Sequence, residues 1–187
     1  GITVTPHIGF LVSVAEVRFD KVVVSTNNLL GSSGASWATL EAALDKSLPI
    51  LSAYQVGATQ EVFDITCEYT RTRVVFGQPI GRFQRVQDHC VDISINLDTA
   101  RWATYEAIWR IDSGMDARAG VHEAKATASD GYYHGTNYAH MVWAGPGTDY
   151  GHPMMAHSVL AHTLYQYLGT PGQHKRLMMD ALYPRAN

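Results

Sequence analysis

The sequence contains little charge and no strong excess of either sign. Of its 187 residues, 17% are charged, with 14 Lys and Arg against 17 Asp and Glu and a net charge of −3. Such a chain has no general attraction for phosphate backbones or anionic lipid, so we predict neither a nucleic-acid partner nor a membrane partner. No apolar run approaches the roughly 18 residues of a membrane helix, and the first residues lack the features of a signal peptide. We therefore expect a cytoplasmic location.

Cysteine is also scarce, which leaves little scope for disulfide chemistry. The two cysteines, Cys67 and Cys90, lie in segments of helical pattern, and we expect reduced core thiols. The nine histidines include His152, His157 and His162, spaced by five residues. Five residues turn through about 500° on a helix, so these side chains spiral apart rather than converge, and we predict no metal site.

The first thirty residues have a β pattern. β-branched and aromatic residues alternate with polar ones over segments 2–4, 10–14, 17–19 and 22–24, which predicts about three short strands. Three strands without partners cannot form a sheet with both faces protected. Because the sequence also starts abruptly without Met, we expect more of a β-domain upstream.

From residue 36 onward the pattern is helical. Apolar residues recur at spacings of three and four, which predicts four long helices and a shorter fifth. Their expected ranges are about 36–69, 83–111, 117–143, 154–168 and 173–182. Pro49 lies inside the first helix, and we expect it to bend that helix rather than end it. The predicted fold class is mainly α: an up-down four-helix bundle plus a short C-terminal helix, preceded by a few short β-strands.

The most informative segment links the first two long helices. It reads Glu68-Tyr-Thr-Arg-Thr-Arg-Val-Val-Phe-Gly-Gln-Pro-Ile-Gly-Arg-Phe-Gln-Arg-Val-Gln87. In order and spacing it resembles the flavin-contacting signature of acyl-CoA dehydrogenases, in which Tyr and Arg precede Phe-Gly-x-Pro-Ile and Phe-Gln-x-Val-Gln. The resemblance implies that Arg73 and Phe76 reach the FAD of a neighbouring subunit and that Gln84 lies against it.

The chemistry of these side chains suits that role. A diphosphate needs a planar, permanently charged donor fork, which Arg73 supplies. Phe76 offers flat apolar surface to a flavin or adenine ring, and Gly77 lets the backbone turn. Without the order of residues in the family signature, the same segment would predict only a basic turn with solvated arginines.

The resemblance covers essentially the whole chain. Residues 1–31 are similar to the tail of the family's middle β-domain, and residues 32–187 to its C-terminal helical bundle. It implies part of an FAD-dependent acyl-CoA dehydrogenase, which desaturates the α,β bond of an acyl-CoA thioester. It also implies a homo- or hetero-tetramer, with an electron-transferring flavoprotein as electron acceptor. About 200 residues would precede this part in a full-length member, so we expect the chain alone to hold half a site and to be inactive.

The chain departs from the family after its third helix. Where the family has Gln-x-x-Gly-Gly-x-Gly-Phe, this sequence has Met141-Val-Trp-Ala-Gly-Pro-Gly-Thr148. Met cannot donate the hydrogen bond of an amide, which weakens the expected contact with ADP. Gly145 still permits a close backbone approach and is a predicted cofactor contact, with a simple helix stop as the alternative. Thr170, in the run Tyr-Leu-Gly-Thr, is the remaining predicted cofactor contact.

The catalytic carboxylate of the family is missing from its usual positions. Many members have a Tyr-Glu-Gly-Thr run where this chain has Leu168, and the other family positions fall near Ser47 and Gly151. Desaturation needs a base for the α-proton, so the catalytic residue stays unknown. The candidates are Asp45 and Asp149, whose alternative roles are a solvated helix-face charge and a turn-forming residue.

Four functions remain open at this point. The chain is either a partner without a base in a heteromeric dehydrogenase or an active subunit with an unconventional base. A flavin-dependent monooxygenase of the same fold needs no carboxylate, and His174 is then the candidate histidine near the flavin. The alternative outside enzymes is a non-catalytic bundle used for assembly.

Overall fold

The computed structural model describes residues 1–9, 13–32, 34 and 36–184. Four strands and five α-helices occur within these residues. In chain order they are β1 (Ile2–His7), β2 (Val14–Phe19), α1 (Ser36–Thr72), β3 (Val74–Val75), β4 (Gln78–Pro79), α2 (Gln84–Asp112), α3 (Arg118–Trp143), α4 (Pro153–Gln166) and α5 (Pro171–Leu182). The predicted class, a helical bundle preceded by a few short strands, is confirmed.

The N-terminal strands form one antiparallel hairpin. Ile2 pairs with Phe19 and His7 with Val14, and both strands are exposed along their whole length. The predicted strand at residues 22–24 is wrong, and part of the one at 10–14 lies outside the described residues. Alternation records only a preference for extended backbone, whereas a strand also needs a neighbour to complete its hydrogen bonds.

Helix α1 is continuous from Ser36 to Thr72 although Pro49 lies inside it. The expectation that this proline would not end the helix is confirmed. Pro49 is buried, so packing against the bundle compensates for the missing backbone hydrogen bond. No described helix is both long enough and apolar enough to cross a membrane.

Helix α3 lies at the centre of the bundle because its small residues let other helices approach closely. A Cβ atom added at Gly131 would lie 3.1 Å from the carbonyl oxygen of Asn96 on α2. One added at Gly135 would lie 3.4 Å from Thr59 on α1 and 3.8 Å from Ile93 on α2. Glycine at these two positions therefore sets the spacing of α1 and α2 against α3.

The largest core cluster joins α1, α2, α3 and α4 around these contacts. Its fully buried members are Val62, Ile93, Tyr132, Ala139 and Met154. Cys67 on α1 and Cys90 on α2 are free and half-buried, and burial raises the pKa of Cys90 to about 11.

Replacement of Ile93 by Ala tests this core. We expect the free energy of unfolding of the full-length protein to fall by about 2–5 kcal/mol, since a buried side chain is removed and a cavity is left. Ile95→Ala is the matched control, because Ile95 lies on the same helix but is 58% exposed and should change stability by less than about 0.5 kcal/mol. Urea unfolding measures both values, and equal losses would contradict this core assignment.

Candidate functional site

The link between α1 and α2 is a two-residue hairpin turn with a strained tip. Strands β3 and β4 are antiparallel, and the connecting residues Phe76 and Gly77 have φ angles of 53° and 76°. A type I′ turn requires positive φ at both positions, which glycine adopts easily and a bulky residue rarely does. Phe76 is nevertheless 91% exposed, and its ring makes an edge-to-face contact with Phe83 at a centroid distance of 6.3 Å. Strain and exposed apolar surface on one residue are typical of a ligand contact.

Arg73 lies at the base of this turn. Its carbonyl oxygen accepts a hydrogen bond from the backbone N–H of Ile80 at 2.9 Å, which fixes the backbone. Its side chain is exposed and has no carboxylate partner among the described residues, whereas Arg71 pairs with Glu68 at 3.3 Å. The guanidinium of Arg73 is therefore available to an anion.

Gln84 begins α2 beside the same turn and is exposed. The N-cap residue of this helix is Phe83, which makes no side-chain capping hydrogen bond. The positive end of the α2 dipole is thus left without a side-chain acceptor, close to Arg73.

Gly145 follows α3 at this same end of the bundle. The ring of Trp143 stacks on Tyr69 of α1 at 3.8 Å, and its Nε1–H donates to Thr66 Oγ1 at 3.1 Å. These contacts hold the turn of residues 145–148 near the C-terminus of α1. Gly145 itself is exposed, and next to it Gly147 is buried so tightly that an added Cβ would lie 2.7 Å from Trp143. We call the surface of Arg73, Phe76, Gln84 and Gly145 the turn end.

Asp149 follows the turn end and is exposed. Its Oδ1 accepts a hydrogen bond from the backbone N–H of Gly151 at 3.0 Å, which is the contact of a turn-forming Asp. The structure does not bring Asp149 and Asp45 together. Asp45 lies in the first three turns of α1, and with 1.5 Å per residue the helix places it about 40 Å from Arg73.

Asp45 lies instead at a cavity of about 270 Å³ at the opposite end of the bundle. Leu48 from the same helix, His122 from α3, Leu168 from the α4–α5 loop and His174 from α5 also line it. Asp45 is half-buried. Leu168 and Asp45 thus line one cavity although they are more than 120 positions apart in the sequence.

Two buried histidines form one wall of this cavity. Nδ1 of His122 lies 3.1 Å from Nδ1 of His174, and Nε2 of His174 lies 3.0 Å from the carbonyl oxygen of Leu168. Burial lowers the pKa of His174 to about 4 and also lowers that of His122, so both rings are neutral at pH 7. Sequence reasoning singled out His174 but missed His122, for which no motif or spacing gave a signal.

Lys125 of α3 holds the α4–α5 loop in place. Its fully buried ammonium group donates to Ser129 Oγ at 2.6 Å, to Leu164 O at 3.4 Å and to Gly169 O at 3.5 Å. Burial lowers the pKa of Lys125 to about 8. Leu168 has a φ of 58°, so this loop too is strained at the residue that faces the cavity.

Thr170 ends the loop and caps α5. Its Oγ1 accepts from the backbone N–H of Gln173 at 3.3 Å, and the Gln173 Oε1 accepts from the backbone N–H of Thr170 at 2.8 Å. This is a complete capping box. Contact of Thr170 with a cofactor stays a prediction. Its hydroxyl would then have to contact the cofactor as well as cap α5. We call the surface of Asp45, His122, Leu168, Thr170 and His174 the cavity end.

The family model described as "Acyl-CoA dehydrogenase, C-terminal domain" matches residues 34–183. The chain belongs to the acyl-CoA dehydrogenase family. The resemblance inferred from the segment between Glu68 and Gln87 is therefore confirmed, and the helical bundle described above is the C-terminal domain of this family.

A curated relative and two solved structures agree with this assignment. The probable acyl-CoA dehydrogenase fadE25 of Mycobacterium leprae is 30% identical over 166 residues, which cover 88% of this chain and 42% of that protein. Butyryl-CoA dehydrogenase from Megasphaera elsdenii is 25% identical with a TM-score of 0.87, over 97% of this chain and 49% of that one. The structure of PigA with FAD and proline is 25% identical with a TM-score of 0.91, over 97% of this chain and 49% of that one. The chain thus spans less than half the length of each.

The described residues contain no group of three or more His, Cys, Asp or Glu side chains placed to hold a metal ion.

Replacement of Phe76 by Asn tests the strain at the turn end. Asn tolerates positive φ and little apolar burial is lost, so we expect the free energy of unfolding to rise by about 0.5–1 kcal/mol. Tyr150→Asn is the control, because Tyr150 is equally exposed but has an ordinary negative φ. Thermal and urea unfolding of the cofactor-free protein provide the comparison, and a loss of stability in the Phe76 variant alone would show that the turn is not strained.

Proposed function

We propose that this chain is the C-terminal part of an FAD-dependent acyl-CoA dehydrogenase that desaturates the α,β bond of an acyl-CoA thioester. The observation that supports this most directly is the turn end, where the strained, exposed Phe76 lies beside the unpaired Arg73 in the order of the family signature. The relatives named for acyl-CoA dehydrogenation and the neighbour solved with FAD support the same activity and cofactor.

The residues of the turn end fit the ADP half of FAD. The guanidinium of Arg73 suits the diphosphate, and the uncapped N-terminus of α2 at Gln84 adds a favourable dipole. Phe76 offers its ring face to an aromatic ring, and the exposed backbone at Gly145 allows close approach. When bound, the flavin supplies the oxidant by accepting a hydride from the β-carbon of the substrate.

The separation of the two ends supports an oligomer. About 40 Å of helix lies between Asp45 and Arg73, which exceeds the reach of one extended FAD molecule. We infer that each chain places its turn end on the FAD of a neighbouring subunit and its cavity end, with Thr170, beside its own. A homo- or hetero-tetramer satisfies this arrangement, with acyl-CoA as substrate and an electron-transferring flavoprotein as electron acceptor.

The division into a β-domain tail, residues 1–31, and a helical bundle, residues 32–187, is part of the same proposal. Inactivity of the chain by itself follows from it, because the bundle contributes only one wall of each site. The cytoplasmic location stays a prediction.

The contacts of His174 argue against the monooxygenase alternative. Both of its ring nitrogens are engaged, one with Leu168 O and the other with His122, so neither is free to meet an oxygen species on a flavin. The assembly-only alternative gives no reason for buried titratable groups around an open cavity.

Replacement of Arg73 by Gln tests the cofactor contact. We expect the Kd of the full-length apoprotein for FAD to rise about 10–100-fold, since a charge-assisted hydrogen bond to phosphate is lost. Arg85→Gln is the matched control, because Arg85 is an exposed arginine on the same segment that lies 3.9 Å from Asp88. Quenching of flavin fluorescence measures both constants, and an unchanged Kd in the Arg73 variant would remove the turn end from the proposed site.

Replacement of Asp45 by Asn tests whether this carboxylate is the base. Because Asp45 is only half-buried and solvent screens its charge, we expect the rate of flavin reduction by acyl-CoA to stay within about threefold of the wild type. Glu41→Gln, one turn earlier on α1, controls for the loss of one negative charge near the cavity. Stopped-flow absorbance follows the reaction, and a thousandfold fall in the Asp45 variant alone would make Asp45 the base.

A further inference from the structure

The hydrogen bonds of the histidine pair fix the tautomer of each ring. A carbonyl oxygen can only accept, so His174 must donate its Nε2–H to Leu168 O. In the neutral ring, His174 Nδ1 is then an acceptor, and the hydrogen between the two rings belongs to His122 Nδ1. Nε2 of His122 is consequently unprotonated and carries a lone pair.

The ring that carries this lone pair lines the cavity. His122 is only 3% exposed and is one of the cavity-lining residues. Its Nδ1 is engaged by His174, and no hydrogen-bond partner of its Nε2 occurs within the described residues. A basic nitrogen thus lies at the same cavity as Leu168, which replaces the family glutamate.

Burial is the main cause of the lowered pKa of His122, and the surrounding charges act on it in both directions. Asp45 and Glu41 of α1 favour the imidazolium, while Arg118 of α3 opposes it. Arg118 lies 3.9 Å from Glu41, so its charge is partly compensated. Lys125 of α3 lowers the pKa of His174. The ring is neutral at rest because it is buried, and the charges of Asp45 and Glu41 stabilise the cation once it forms.

We propose that His122 is the base of this chain, and that its Nε2 takes the α-proton of the acyl thioester. This inference rests on the proposed dehydrogenase function. The α C–H bond breaks and an N–H bond forms at Nε2, while the electron pair becomes the new carbon–carbon double bond and the β-hydride leaves to the flavin, the oxidant of the proposed reaction. His174 is a positioning residue, because it holds His122 in the tautomer that presents Nε2.

The apolar lining of the cavity suits this substrate class. Leu44, Leu48, Leu168 and Leu177 line part of the cavity of about 270 Å³ and offer apolar surface to a hydrocarbon chain. Glu41, Asp45 and Arg118 line the same cavity with charged groups. Protonated His122 cannot act, so activity should fall as the pH drops through its pKa, which burial places below the ordinary value.

The test uses the full-length FAD-loaded protein with saturated acyl-CoA thioesters from butyryl-CoA to palmitoyl-CoA. His122→Gln should slow flavin reduction about a thousandfold, in the range of a lost general base. His157→Gln is the control. His157 is a half-buried histidine that does not line the cavity, and its Nδ1 lies 2.8 Å from Tyr132 OH. His122→Ala should recover part of its rate when imidazole is added, which a merely structural histidine would not allow.

Nitrogen NMR of the wild-type holoenzyme gives a second readout that does not depend on turnover or on the folding of a variant. It should show Nε2 of His122 unprotonated and Nε2 of His174 protonated at pH 7. His174→Leu should disturb that tautomer and lower kcat more than it raises KM.

The outcomes separate the two proposals. If the wild type is reduced by an acyl-CoA and the His122 variant stays within tenfold, His122 is not the base and the dehydrogenase function stands. A protonated His122 Nε2 in the wild type would overturn the base assignment on its own. If no thioester in the series reduces the wild-type flavin, the proposed function itself fails.

Discussion

The ammonium group of Lys125 is the contact on which the cavity end depends. Its three acceptors lie on α3, at the end of α4 and in the α4–α5 loop, so one side chain links all three segments. Taking an ammonium group out of water costs several kcal/mol unless hydrogen bonds offset it, and the lowered pKa of about 8 records that cost. With this anchor in place, Leu168 is held at the cavity and His174 receives its carbonyl partner.

At the turn end, stabilising contacts are combined with local strain. Its backbone is held by hydrogen bonds and by the stacking of Trp143 on Tyr69, while Phe76 is left strained and exposed. In a folded chain considered alone this arrangement is unfavourable. In the proposed function an aromatic ring of FAD would cover Phe76 and offset this cost.

Much of the fold could be predicted from the sequence because apolar residues recur at spacings of three and four along each long amphipathic helix. The ranges of α2 and α3 were expected within one or two residues, and the turn around Arg73 and Phe76 was found through its order of residues. The strands were predicted less well, since pairing depends on a partner that local sequence does not specify.

The histidine pair could not be predicted, and the reason is geometric. His122 and His174 are 52 positions apart and meet only because α5 returns across α3. The same holds for Tyr69 and Trp143, whose rings stack next to the turn end. The side chains of each site follow no helix or strand period along the sequence, so only the folded bundle brings them together.

The length of α1 has a consequence for how such chains evolve. In the proposed function, a helix that separates the turn end from the cavity end by about 40 Å makes each chain contribute to two cofactors, its own and its neighbour's. A chain could lose its catalytic activity and still be retained by selection, because the neighbouring subunit would bind FAD less tightly without it. In such an oligomer, duplicated genes could diverge into one subunit that catalyses the reaction and one that only binds FAD. The loss of a carboxylate at the position of Leu168 is the kind of change that would separate the two.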